Sequence, residues 1–148
     1  MHYITLSSAD TSNPGVGTAA GNATFTNAFE RPLMFDASHE WEIALFSISL
    51  NLTTAWAPAT SGSVYVYSSL VAPTQIVGSV TTNLLRRVFF DDVGRQDIEF
   101  SNLKFVPLSA SVFGTAEVQL LDALGATVPV EALQGSTLTM SIRKKPFS

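Results

Sequence analysis

Short runs of β-branched and aromatic residues recur along the whole chain, and no window convincingly sets apolar residues at i, i+3, i+4 and i+7. This pattern argues against a helical bundle and predicts extended segments joined by turns. Eight candidate strands follow, at residues 3–7, 23–29, 40–50, 63–71, 83–90, 97–106, 116–121 and 137–144. The last alternates cleanly, with Leu138, Met140 and Ile142 on one face and Thr137, Thr139 and Ser141 on the other. Residues 40–50 begin with Trp41, Ile43 and Leu45 in phase and then shift to Phe46 and Ile48, which predicts a β-bulge or burial of both faces. Residues 97–106 change phase too, from Ile98 and Phe100 to Leu103 and Phe105. Between the strands stand a Gly/Ser/Thr/Asn loop at 8–21 and turn signals at Arg31-Pro32, Ala57-Pro58, Ser61-Gly62, Asp91 to Gly94, Gly114, Leu124-Gly125 and Gln134-Gly135.

A chain of 148 residues, 46% hydrophobic and 14% charged, has the material for one well-filled core, so residues 1–148 are expected to form a single domain. Eight short strands favour an antiparallel β-sandwich, whose eight-strand form with two Greek keys is the jelly roll. An immunoglobulin-like sandwich competes, although its usual Cys, Trp, Cys spacing is impossible without cysteine, and an up-and-down barrel would also close eight strands. The first residues, Met1 to Ser7, have neither a positive n-region nor an apolar h-region, so no secretory signal is expected. The apolar run at 43–50 is broken by Ser47 and Ser49, so no membrane span is expected and the chain reads as soluble.

Chemistry is poorly supplied. Without cysteine there are no disulfides, thiol nucleophiles or thiolate metal sites, and only His2 and His39 are available for imidazole chemistry. Glu40 and Glu42 lie two apart on one strand face, the one carboxylate pair that hydrolysis of a glycoside would use, but alternating Glu is also what a half-exposed strand looks like. Asp91-Asp92 reads as a polar hairpin turn rather than a cation loop. No catalytic residue, cofactor or metal is expected. A net charge of −4 opposes general polyanion binding, and nucleic-acid contact is limited to a local one through Arg143, Lys144 and Lys145.

Aromatic residues on strands and loops suggest surfaces instead. Tyr65 and Tyr67 share one strand face, and Trp56 lies in a loop beside Pro58, where a tryptophan docks onto its own domain's edge or a neighbouring subunit. Arg86 and Arg87 project to opposite surfaces of their sheet. An inward arginine needs a carboxylate or several carbonyl oxygens, and Glu42, Asp97, Glu99 and Glu117 are the strand-borne candidates.

The succession Val64-Tyr65-Val66-Tyr67-Ser68-Ser69-Leu70-Val71, then Pro73-Thr74-Gln75-Ile76-Val77-Gly78, then Leu84-Leu85-Arg86-Arg87-Val88 resembles a pattern in penton, or minor capsid, proteins of Polintons, Polinton-like viruses and virophages. Further resemblances are the early strand Ile4-Thr5-Leu6, the segment 22–29, Trp41-Glu42-Ile43-Ala44-Leu45, the turn Phe105-Val106-Pro107-Leu108, the hairpin at 118–125 and a last strand, 138–145, ending in basic residues. The family pattern often has aspartate or cysteine where Ser68-Ser69 stand, and tyrosine where Phe105 stands.

The resemblance implies a single jelly-roll capsid domain that forms a homopentamer at the icosahedral vertex of a virion. Its neighbours would be double jelly-roll major capsid proteins, with a vertex spike as an optional partner. The residues then expected at structural or subunit-contact positions are Trp41, Trp56, Pro73, Gly78, Arg86, Arg87, Phe89 and Phe90, with one arginine locking the sandwich and the other meeting a neighbour. The competing expectation is a trimeric spike head or carbohydrate-binding sandwich using Trp56, Tyr65 and Tyr67.

Overall fold

The structure, a computed structural model, describes residues 2–8, 23–56, 62–130 and 135–146. Among them the regular elements are all strands: β1 (His2–Ser7), β2 (Thr24–Met34), β3 (Trp41–Leu52), β4 (Ser63–Ser68), β5 (Gln75–Val77), β6 (Val80–Thr82), β7 (Leu84–Phe89), β8 (Gly94–Glu99), β9 (Val106–Pro107), β10 (Val112–Leu121) and β11 (Thr137–Lys144). The first sheet has the order β1-β11-β3-β8, with β9 also on β3; the second has the order β2-β10-β4-β7; β5 and β6 form a separate hairpin. All named pairings are antiparallel. Both sheets end in open edges, so a closed up-and-down barrel is ruled out and the arrangement fits a β-sandwich.

The pairings are nested. β4 pairs with β7, β3 with β8, β2 with β10 and β1 with β11, so the chain folds back along itself about its middle. The cross-pairings β3–β11 and β4–β10 then gather these pairs into two layers. One continuous apolar cluster is shared between them. The first sheet contributes Leu6, Ile43, Leu45, Ile48, Leu50, Leu138, Met140 and Ile142, and the second Phe25, Val64, Val66, Val88, Ala116, Val118 and Leu120. Each is a strand residue in phase with the others on its inner face, which is why alternation in the sequence reports the core.

The phase shift in β3 is a bulge. Thr139 pairs with Ser47 but Met140 pairs with Leu45, leaving Phe46 as the extra residue. The buried set accordingly changes from Ile43 and Leu45 to Ile48, Leu50 and Leu52. The phase change expected inside residues 97–106 has another cause: β8 runs from Gly94 to Glu99, and residues 100–105 leave the sheet before the short β9. Strand β4 likewise ends at Ser68, and Val71 retains only a bridge to Leu108.

Arg31-Pro32 is not a turn. It lies within β2, where Ala28 pairs with Thr115 and Leu33 with Phe113, so the intervening residues bulge out of the ladder. Because β2 is an edge strand, proline's missing N–H costs no ladder bond there. Gly114 sits at the same register shift and is also strand rather than turn. The segment that holds Pro73 and Gly78 contains the hairpin β5–β6, turned by Gly78 and Ser79 between Val77 and Val80. Gly78 has φ +64, a left-handed conformation that suits this two-residue turn. The turn signals at Ala57-Pro58, Ser61 and Gln134 lie outside the described residues, as does the loop expected at 8–21 beyond Ser8.

Gly62 is the tightest backbone position. It has φ +71, its carbonyl accepts the Phe90 N–H at 2.7 Å, and an added Cβ would stand 2.3 Å from Phe89 Cε2. Gly62→Ala is expected to cost about 1–2 kcal/mol from the left-handed backbone alone, plus displacement of the Phe89 ring. Urea denaturation monitored by tryptophan fluorescence checks this, and an unchanged midpoint would show that the Gly62–Phe89 contact is not a constraint.

Candidate assembly surface

The seams where the two sheets' edges meet decide what remains for a partner. On the β1–β2 side, the buried Asn27 donates from Nδ2 to Ser7 O and accepts the Ser7 N–H at Oδ1, each at 2.9 Å. A primary amide offers one donor and one acceptor in the geometry of a peptide group, so it continues the ladder where the backbone cannot. Nothing in the spacing around Asn27 singles it out beforehand.

The β7–β8 side is closed by Arg86. Val66 pairs with Arg86 and Tyr67 with Leu84, so Leu85 is an extra residue in β7. Arg86 therefore starts from the inner side of the second sheet and reaches across to the segment after β8. Its guanidinium stacks 3.8 Å from the Phe100 ring centroid, and Nη1 donates to Asn102 O at 2.9 Å. Of the partners expected, a carbonyl oxygen is found and none of the named carboxylates: Glu42 pairs with Arg143 at 2.6 Å, Asp97 with Arg95 at 3.2 Å, and neither Glu99 nor Glu117 forms an ion pair among the described residues. Partial burial pushes the Arg86 pKa down from its ordinary value, yet the π face and one carbonyl hold the charge because the side chain stays part-exposed.

Arg87 projects to the other surface, opposite Tyr65, and is exposed. Phe89 follows it on the same outer face at 59% exposure. Of the residues expected at structural or subunit-contact positions, Phe90 and Trp56 take a structural place. Phe90 is 1% exposed and Trp56 6%, with the indole N–H donating to Phe90 O at 3.3 Å, so both belong to the chain's own core. Trp56 is also unavailable for stacking on a ligand. Pro73 is exposed, and Gly78 is exposed at its turn beside the exposed Ile76 and Val80.

Trp41 closes one end of the core. It donates from Nε1 to Asp36 O at 2.9 Å and lies 5.0 Å from the Phe35 ring and 5.9 Å from His2. Beside it opens a cleft of about 700 Å³, lined among others by Glu40, Glu42, Phe105, Leu108 and Lys145. The two carboxylates do not act as a pair: Glu40 meets Lys145 at 3.4 Å, while Glu42 binds Arg143, itself 3.7 Å over the Phe105 ring. The basic tail takes part in these contacts. With Lys144 5.8 Å over the Trp41 ring, each of Arg143, Lys144 and Lys145 is engaged within the fold. His39 lies 3.7 Å from Asp36, on the surface.

The outer faces differ in kind. That of the first sheet is largely hydroxylic and charged, with a Thr5–Thr139 hydroxyl bond at 3.0 Å and Ser49 donating to Asp97 beside Arg95, and it also carries the exposed Tyr3, 5.5 Å from the Phe46 ring. That of the second carries Tyr65, Tyr67, Arg87 and Phe89, residue types that concentrate at protein contacts. The exposed Met34 and Val112 are register partners at one end of the same sheet. No protein-family model matches the sequence, and no curated protein matches it.

Arg86→Ala is expected to destabilise the fold by about 1–2 kcal/mol, since one stacked cation and one charged hydrogen bond are lost; chemical denaturation measures this, and a change within error would remove Arg86 from the seam. Asp97 supplies a pH signature. The Ser49 hydroxyl and Arg95 hold its carboxyl below the ordinary 3.8. A depressed folded-state pKa gives stability that is complete above 3.8 and lost as the pH falls through the lower folded value. The stability gap between the parent and Asp97→Asn should therefore close on acidification below that pH; a constant gap would refute the linkage.

Proposed function

We propose that the chain is a jelly-roll capsid protein that forms the homopentameric vertex of an icosahedral virion and has no catalytic role. The observation that carries this reading is the nested pairing of β1 with β11, β2 with β10, β3 with β8 and β4 with β7, gathered into layers β1-β11-β3-β8 and β2-β10-β4-β7. This order supports a reading as the double Greek key of a jelly roll, an architecture of capsid and lectin domains. The resemblance of residues 64–88 to penton proteins favours the capsid among these.

Surface chemistry supports the same reading. In a cyclic ring each subunit presses one flank against a different flank of the next. Arg87 and Phe89 supply a cation and an exposed aromatic on one flank, while Arg86, part-buried and stacked on Phe100 in its own seam, braces that flank. The outward partners of such a ring are double jelly-roll major capsid subunits, and its loops are the seat for a spike.

Sedimentation and native mass measurements on the purified chain test the proposal. A five-copy mass is expected, with ring-shaped particles by electron microscopy and dissociation by the double variant Arg87→Glu/Phe89→Asp at unchanged circular dichroism. A strict monomer at high concentration, or a trimer, would overturn it.

A further inference from the structure

Where the β5–β6 hairpin leaves the second sheet, a groove of about 380 Å³ is lined by β6 residues and by the outer face of β4 and β10. Its lining combines the part-exposed phenol of Tyr67, the apolar Leu121, the amides of Gln119 and Asn83, and the hydroxyls of Thr81 and Thr82. No acidic or basic side chain lines it. Asn83 Nδ2 is committed to Ser68 O at 2.8 Å, which anchors the residue after β6 to β4, and Thr82 Oγ1 to Gln75 O at 3.0 Å within the hairpin, so both side chains are fixed. The Gln119 amide, the Tyr67 hydroxyl and the Thr81 hydroxyl have no hydrogen-bond partner among the described residues.

We propose that this groove is a binding site for a neutral saccharide of one or two pyranose units. The volume falls at the small end of ligand pockets, which bind by apolar walls plus a few placed polar groups. A pyranose presents a C–H face, whose positively polarised hydrogens suit the negative face of an aromatic ring, and a rim of hydroxyls that both donate and accept. Tyr67 and Leu121 answer the first; Gln119, Thr81 and the Asn83 carbonyl answer the second. Burial, followed by the neighbouring Tyr65, raises the Tyr67 pKa, which keeps its hydroxyl a donor.

Competing ligands fit less well. A nucleotide brings a phosphate, and no cation lines the groove. An extended peptide would seek an open strand edge, whereas the groove lies on the faces of β4 and β10, whose backbones already pair with each other. Every lining residue comes from one chain, so the site is complete without a neighbouring subunit.

Titration of the isotope-labelled protein with lactose, maltose and cellobiose, followed by NMR, tests it directly. Saturable shifts centred on Tyr67, Gln119 and Thr81 are expected, with a Kd of roughly 1 mM. Tyr67→Ala and the milder Gln119→Leu should each weaken binding by roughly tenfold, the loss of about one stacking or hydrogen-bond contact. Absence of saturation with all three sugars, binding undiminished in Gln119→Leu, or preference for a proline-rich peptide or an acidic sugar would overturn the proposal. The oligomeric state is recorded on the same samples, so failure of the ring and failure of the site are read separately.

Discussion

An open antiparallel sheet leaves a row of backbone donors and acceptors along each edge, and a two-layer β fold must satisfy or shield four such rows. Here side chains meet part of that demand. Asn27 completes the ladder at Ser7, Arg86 spans from β7 to Phe100 and Asn102, and the Trp56 indole occupies the carbonyl of Phe90. Burial of the apolar cluster drives the layers together, but these contacts fix where one layer stops against the other. The remaining edges are guarded by sequence: β8 carries the exposed charges Arg95, Asp97 and Glu99, and β2 carries Pro32 and a bulge.

The two broad faces then separate by chemistry. On the first sheet hydroxyls and charges hydrogen-bond to one another beside a Tyr3–Phe46 ring contact. Aromatic side chains and Arg87 on the second leave a face where contact with another molecule removes apolar area from water. The β5–β6 hairpin divides that face further, since two strands alone are marginally stable and this pair is anchored to β4 through Asn83.

Much of this was legible in the sequence, wherever one side of a segment is buried and the other wet. Residues 137–144 alternate and form β11 with those bounds, and the phase break after Leu45 is the Phe46 bulge. Legibility fails where tertiary position overrides local preference. Arg31-Pro32 has turn chemistry but lies on an edge, where proline is tolerated. Residues 100–105 are apolar enough for a strand, yet Phe100 is used as the platform for Arg86 and leaves the sheet. The carboxylate expected for Arg86 was unnecessary, because periodicity cannot reveal an aromatic face supplied from a distant segment. The β5–β6 hairpin did have a local signal, Gly78-Ser79 between β-branched runs, which the longer strands around it overshadowed.

Nesting also sets the order in which order can be gained. The β4–β7 pair closes the shortest loop of the four, whereas the hydroxyl contact between Thr5 and Thr139 joins residues 134 positions apart. Closing entropy grows with that separation, and chains dominated by remote contacts cross their folding barrier slowly. The outermost pair, β1 with β11, closes the longest loop and is the costliest to find, so until it docks the first sheet keeps an unpaired edge on β11, the kind of exposed edge from which aggregation starts.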